Sequence, residues 1–196
     1  MALAPLSTST LAAPDGAQVN EFEAEFSEVY RAHFAFVWRA AKRLGVASSH
    51  QDDVVQEVFV VVHRRLSSFE GRSSLRTWLF GITIRVVRDY RKSRARRDEP
   101  TGLDFDTLEA PQGTANPSRA LERAEASRLL HGILDAMDDD KREVFVLSEL
   151  EQLTIPEAAE ALSVNVNTAY ARLRAAKQFF DSAVQRLRAA DAWRDK

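Results

Sequence analysis

The chain has 196 residues, 45% of them hydrophobic and 29% charged, with a formal net charge of −2 and no cysteine. That length allows one domain or two small ones, and the composition is that of a soluble globular protein rather than a fibre, a disordered chain or a membrane bundle. The lack of cysteine excludes disulfides and thiolate-held metals and fits a reducing cytoplasm. Seven glycines are few for this length. Abundant Ala, Leu, Arg and Glu with no alternating apolar and polar runs predict an all-α fold.

In chain order, residues 1–20, MALAPLSTSTLAAPDGAQVN, lack a basic start and a continuous apolar core. They are read as a disordered tail, neither a secretory signal nor a membrane span, and no apolar run elsewhere reaches spanning length. From Phe22 to about Leu44 the positions Phe26, Tyr30, Phe34, Val37 and Ala41 recur at helical spacing and predict one buried face. A second helix follows Gly45, with Ser49 as its predicted cap and Asp52 three residues on. Its run DDVVQEVFVVVHRRL is rich in valine, yet Val54, Val55, Val58, Phe59, Val62 and Leu66 keep helical spacing. Pattern therefore outweighs the β-propensity of single residues. Asp52, Asp53 and Glu57 complement the positive end of that helix, and with Gln56 they form an acidic and amide face suited to a basic partner surface.

Residues 67–74, SSFEGRSS, predict a hydroxyl-rich turn, and a third helix starts at Leu75 with Trp78, Leu79, Ile82 and Val86 as its buried stripe. From Arg85 to Arg97 the segment RVVRDYRKSRARR has Asp89 as its single acid. Arg85, Arg88 and Lys92 fall three and four residues apart, and Tyr90 adds a ring on which an unpaired base can stack. Such a basic helix end also serves simply to complement the helix dipole. Charge is segregated along the chain: residues 21–97 hold 15 Lys and Arg against 9 Asp and Glu, whereas residues 98–118 hold five acids and no base. The stretch DEPTGLDFDTLEAPQGTANPS is read as a flexible acidic linker between two helical units, 21–97 and 119–196.

The second unit carries Asp138, Asp139 and Asp140, which lack the distal glutamate of a calcium loop and are read as helix-capping charges. Thr154, Ile155, Pro156 and Glu157 then form a capping box with proline in the first turn. Ala158, Ala159 and Leu162 form the inner face of that helix, Ser163-Val164-Asn165 breaks it, and Asn165 caps the next. In the following helix Ala169, Leu173 and Ala176 face inward while Thr168, Ala171, Arg172 and Ala175 form a small, cationic outer side. Two short helices joined by a tight turn, the second bearing exposed arginine, make a helix-turn-helix suited to the major groove. His33, His50, His63 and His131 are too scattered for a metal site, no glycine-rich phosphate loop occurs and no nucleophile sits in a catalytic context. No catalytic residue, metal or cofactor is expected.

The pieces DDVVQEVF (52–59), SSFEGRSSLRTWLFGI (67–82) and REVFVLSELEQLTIPEAAEALSVNVNTAYARLRAAK (142–177), in this order, resemble the extracytoplasmic-function group of bacterial RNA polymerase sigma factors. The resemblance covers about residues 22–185. It implies two domains, sigma region two over 21–97 and region four over 119–196, and a bacterial cytoplasmic protein that binds core RNA polymerase and directs promoter recognition, melting and initiation. Asp52, Asp53, Gln56 and Glu57 then meet the β′ clamp. Phe69, Arg72, Arg85, Arg88, Tyr90, Arg91 and Lys92 hold the −10 element, with a base captured from the melted strand. Asn167, Thr168, Tyr170, Arg172 and Arg174 read the −35 duplex while region four packs on the β flap. An anti-sigma protein is implied as a further partner. The chain departs from the family pattern at Thr83-Ile84-Arg85, His63, Asn167, Met137-Asp138 and Ala159, which lightens the core of the first helix of the motif. The competing readings are a stand-alone helix-turn-helix regulator and a helical adaptor that binds an acidic protein. Neither uses the acidic face, the basic helix and the helix-turn-helix together.

Overall fold

The computed structural model describes residues 16–96 and 117–194, all of them in helices and short connections, with no strand among them. Seven α-helices run in order: α1 (Gly16–Arg43), α2 (Ser48–Arg65), α3 (Leu75–Arg96), α4 (Pro117–Asp135), α5 (Asp139–Phe145), α6 (Ile155–Leu162) and α7 (Val166–Arg194). The acidic segment 98–116 and residues 1–15 of the expected tail lie outside the described residues. Residues 16–20, expected in the tail, instead open α1.

In the first unit α1, α2 and α3 pack on one another around Val37, Leu44, Val55, Val58, Val62, Leu79, Phe80 and Ile84. The valine-rich run of α2 is helical, because Val54, Val55, Val58 and Val62, spaced at three and four residues, land together on the buried face. The face of α1 agrees with expectation at Val37 and Ala41 and differs from it nearer the N-terminus. Val29, Phe36, Val37, Ala40 and Ala41 are buried, whereas Tyr30 remains 39% exposed and Phe26 and Phe34 are half-buried on an adjoining aromatic stripe. The expected cap at Ser49 is also corrected: Ala47 occupies the cap position without a side-chain bond, and Ser49 Oγ lies 3.0 Å from His50 Nδ1. In α3, Leu79 and Ile82 are buried as expected, but Trp78 and Val86 are only partly covered and Phe80, Thr83, Ile84 and Val87 complete the face.

The second unit is built on capped turns. Asp138 accepts the Lys141 backbone N–H at 2.9 Å and starts α5. The α5 helix widens into a π-helical turn over Val146–Leu150. The Thr154–Glu157 capping box closes in both directions, with Thr154 N–H to Glu157 Oε2 at 2.8 Å and Glu157 N–H to Thr154 Oγ1 at 3.4 Å. At the end of α6, Ser163 N–H bonds to Glu160 O and Val164 N–H to Ala159 O, with Ser163 at φ +56°. This is a Schellman stop with serine where glycine is most comfortable. Asn165 Oδ1 then accepts the Asn167 N–H at 2.8 Å and opens α7. Ala158, Ala159 and Leu162 of α6 and Ala169 and Ala176 of α7 are buried together, and Leu173 sits at their edge.

The two units meet along α3 and α6. Gly81 of α3 lies so close to α6 that a β-carbon there would stand 3.5 Å from the Ala161 carbonyl oxygen. A second Schellman stop ends α1: Gly45 N–H bonds to Lys42 O and Val46 N–H to Ala41 O, with Gly45 at φ +86°. A β-carbon on Gly45 would fall 2.1 Å from Arg142 Nη1, so its missing side chain both permits the turn and makes room for a guanidinium from the second unit.

Two stability predictions follow from these caps. Ser163→Gly removes the left-handed penalty of an L-residue, and denaturant unfolding should show a gain of about 0.5–1 kcal/mol. Lys141 holds the Asp138 carboxyl below its ordinary value, and Thr154 does the same for Glu157. Carboxyls depressed in this way stabilise the fold fully above their ordinary values of 3.8 and 4.5 and lose that contribution as pH falls through the lower folded values. The melting-temperature gap between the wild type and Asp138→Ala or Thr154→Ala should therefore be present at neutral pH and shrink in acid.

Candidate nucleic-acid interface

Asp52, Asp53, Gln56 and Glu57 are all exposed on the outer side of α2, because the inner side is taken by Gln51, Val54, Val55 and Val58. The four do not share one surface. Asp52 and Gln56 border a groove of about 620 Å³ between α1 and α2, floored by Phe26, Tyr30, Phe34, Trp38 and Phe59. Asp53 and Glu57 border a second groove of about 460 Å³ between α2 and α3, shared with Arg65, Arg85, Asp89 and Tyr90. The acidic face thus adjoins the basic one.

After α2, a single turn of 3₁₀ helix (Leu66–Ser68) leads into the hydroxyl-rich loop. Ser74 Oγ accepts the Thr77 N–H at 3.1 Å, which fixes the start of α3. Phe69 is half-buried with its ring 5.1 Å from that of Trp78, and Arg72 is exposed beside Glu70. On α3, Arg85 and Lys92 are exposed. Tyr90 packs partly against His50, and Arg94 Nη1 donates to its hydroxyl at 3.4 Å.

Arg88 and Arg91 turn toward the second unit. Arg88 donates through Nε and Nη2 to both oxygens of Glu143, at 2.9 and 2.5 Å. This paired carboxylate raises the guanidinium's pKa. Arg91 is pushed the other way, first by burial and then by the nearby Arg142, although its Nη1 lies 2.8 Å from Asp139 Oδ1. Glu151 joins Arg43 and Arg76, the latter at 3.1 Å with its guanidinium 4.9 Å from the Phe36 ring centre. Arg142 satisfies backbone carbonyls at the ends of two helices: Leu134, Asp135 and Met137 after α4, and Leu44 after α1. Sequence reading passed over Glu143, Glu151 and Arg142. The available signal was a carboxylate set directly against the apolar run VFVL (144–147), a position normally too costly for an unpaired charge.

The helix-turn-helix presents its second helix outward. Asn167, Thr168, Tyr170 and Arg174 are exposed at the N-terminal part of α7, and Tyr170 is 56% exposed. Arg172 is partly covered and pairs with Asp140 at 2.7 Å. Asp138, Asp139 and Asp140 thus cap α5, pair with Arg91 and pair with Arg172, respectively. Among the described residues no cluster of His, Asp and Glu could hold a metal, and no helix is long and apolar enough to cross a membrane.

Residues 29–97 match the family Sigma-70 region 2, and residues 127–180 match Sigma-70, region 4. The chain is 30% identical over 150 residues to the ECF RNA polymerase sigma-E factor of Escherichia coli, covering 72% of this chain and 78% of that protein. It is 31% identical over 157 residues to the RNA polymerase sigma factor CnrH of Cupriavidus metallidurans, covering 78% and 82%. The solved structure of CnrH in complex with the cytosolic domain of CnrY superposes with a TM-score of 0.60 at 27% identity, over 83% of this chain and 89% of that one. The sigma factor RpoE of Bartonella quintana, solved with the anti-sigma factor NepR, shares the fold with a TM-score of 0.67 at 18% identity, over 82% and 97%. Both helical units thus carry a family region in the expected order, and the chain belongs to the extracytoplasmic-function group of RNA polymerase sigma factors.

Proposed function

We propose that this chain binds core RNA polymerase through the outer face of α2, opens the −10 element with the 67–74 turn and α3, and reads the −35 duplex with α7. The observation that carries the reading is the joining of an exposed acidic and amide face to a basic, aromatic helix, with a second unit whose α7 exposes Asn167, Thr168, Tyr170 and Arg174. Asp52, Asp53, Gln56 and Glu57 supply carboxylates and an amide for a basic clamp surface, and region four is assigned to the β flap. Phe69, Arg72, Arg85, Arg88, Tyr90, Arg91 and Lys92 supply stacking rings and phosphate partners.

Unpairing DNA without nucleotide hydrolysis costs about 1–2 kcal/mol per base-pair step. Stacking a freed base on an aromatic ring and pairing its phosphate with arginine can offset that cost. Thr168, Tyr170 and Arg174, with Asn167 and Arg172 beside them, stand on small-residue ground that lets α7 approach base edges. Each site alone is weak, and joining the two on one chain raises the effective concentration of the second. The acidic linker fits entry into a nucleic-acid channel as a mimic. The complex of the relative CnrH with the cytosolic domain of CnrY supports a protein partner for this chain as well, which we assign to the anti-sigma protein that the family resemblance implies. On this reading the protein works in the bacterial cytoplasm, where it selects promoters and performs no catalysis itself.

Purified protein should bind bacterial core polymerase and yield new start sites on a fragmented genomic library. Binding to free duplex without core binding would favour a stand-alone regulator. Arg172→Ala should weaken −35 duplex recognition by about 1–3 kcal/mol, read as promoter binding by the holoenzyme. Asp140→Asn breaks the same ion pair yet keeps the guanidinium, and it should retain affinity. Asp53→Ala with Gln56→Ala should lower core affinity while the circular dichroism spectrum stays unchanged, since both side chains are exposed.

A further inference from the structure

The groove between α2 and α3, about 460 Å³, falls within the roughly 300–1,000 Å³ of small-ligand pockets, and its charges are sorted along it. His50 packs on Tyr90 at one end, and Arg65 shares a hollow with Ile82 and Arg85 at the other, so the start of α2 faces the end of α3. Asp53, Glu57 and Asp89 therefore stand toward the Tyr90 end, and Arg65 and Arg85 toward the Ile82 end. Opposite charges lining one groove ordinarily pair with each other. These do not: among the described residues none of the five side chains makes a hydrogen bond or an ion pair. Even Arg85 and Asp89, one turn apart on α3 where such pairs form readily, stay separate. Tyr90 borders the same groove with its ring centre 5.6 Å from that of His50 and its hydroxyl accepting from Arg94 Nη1 at 3.4 Å. Its ring is thus held in place before any ligand arrives. The 67–74 turn does not border this groove.

A held ring between an unpaired carboxylate fork and an unpaired guanidinium fork matches one nucleobase best. Guanine carries two N–H donors side by side, N1 and N2, and two acceptors, O6 and N7, on the adjoining edge. A carboxylate takes the first pair and arginine the second. Adenine and cytosine each offer one donor nitrogen and thymine a single N–H between two oxygens, so each leaves a fork partly unmet. In a duplex N1 and N2 of guanine are engaged by cytosine, so the carboxylate end selects a guanine out of its pair, read by its edge and by stacking. We propose that the α2–α3 groove is a guanine-selective pocket for an unpaired base, in which Asp89 accepts from N1 and N2, Arg85 donates to O6 and N7, and Tyr90 stacks on the ring. Arg65 is placed for the accompanying phosphate, and Asp53 and Glu57 keep the acid end negative without forming the fork. Asp89 is the single acid of the basic run 85–97. A carboxylate there repels phosphates and lowers general affinity, so its worth is in selection. The guanine belongs either to a melted strand or to a free nucleotide. The first source rests on the reading of α3 as a nucleic-acid face, and the second does not.

Fluorescence anisotropy of the full chain with fluorescein-labelled thymidine 12-mers carrying one central guanine tests the pocket. The guanine strand should bind about tenfold more tightly than the all-thymine strand. Hypoxanthine in its place, which lacks the 2-amino group, and 7-deazaguanine, which lacks the N7 acceptor, should each lose most of that gain. Asp89→Asn, at an exposed position, should keep native helicity, erase the guanine preference and bind the all-thymine strand at least as well as the parent. Arg85→Gln should erase the distinction between guanine and 7-deazaguanine.

A ribose-labelled fluorescent guanosine monophosphate, set against its adenosine counterpart, separates the two sources. Guanine selectivity that depends on Asp89 upholds the pocket in either arm, and the arm in which it is found names the source. Selective binding of the nucleotide with no binding of any strand upholds the pocket and counts against α3 as a nucleic-acid face. Equal, measurable binding of the guanine, hypoxanthine and thymine strands, with no selectivity for the nucleotide, overturns the pocket and leaves that face standing. A guanine preference that survives Asp89→Asn, or no selectivity in either arm, overturns the pocket as well.

Discussion

A carboxylate removed from water must be paired, and this requirement fixes how the two halves of the protein sit together. Glu143 lies on the short α5 segment and Glu151 caps the end of its π-helical extension, both almost wholly out of solvent, and the arginines they pair with are on the other unit. Two carboxylates with three arginines select one register, and Gly81 lets the backbones come close enough to hold it.

Arg142 extends the same logic to backbone. The ends of helices leave carbonyls without partners, and this guanidinium collects those of α4 together with one from α1. Gly45 is its counterpart, since a side chain at that position would occupy the space of Nη1. Arg91 stands beside it at a cost, desolvated and near a like charge, with Asp139 as compensation. Cationic charge near helix C-termini is favourable in general, and here it also ties one unit to the other.

The grooves on either side of α2 give the functional reading its geometry. Because Asp53 and Glu57 share a groove with Arg85 and Tyr90, a protein partner on α2 and a nucleic acid on α3 would lie against one another. On the proposed reading, docking and DNA capture are neighbouring events on one small scaffold. Helix α7 is separated from them, with its exposed residues on the far side of the core formed by Ala158, Leu162, Ala169 and Ala176.

The amino-acid sequence by itself determined the helical class, the α2 run, the capping box at Thr154, the Asn165 cap and the outward set on α7, because each depends on residues within one or two turns of one another. Local chemistry also predicted the cap at Ser49, which failed because the chain enters α2 through Ala47 instead. The periodicity of α1 was legible and placed Val37 and Ala41 rightly, but its phase nearer the N-terminus was not. Phe26, Tyr30 and Phe34 obey helical spacing as well as the true core positions do, and only the placement of α2 and α3 decides which stripe is covered. Likewise, Arg85, Arg88, Arg91 and Lys92 are equivalent cations in a linear reading. Tertiary structure alone divided them, leaving Arg85 and Lys92 in solvent and committing Arg88 and Arg91 to acids some fifty residues away, because a charge's role depends on its neighbours in space and the chain records only its neighbours in order.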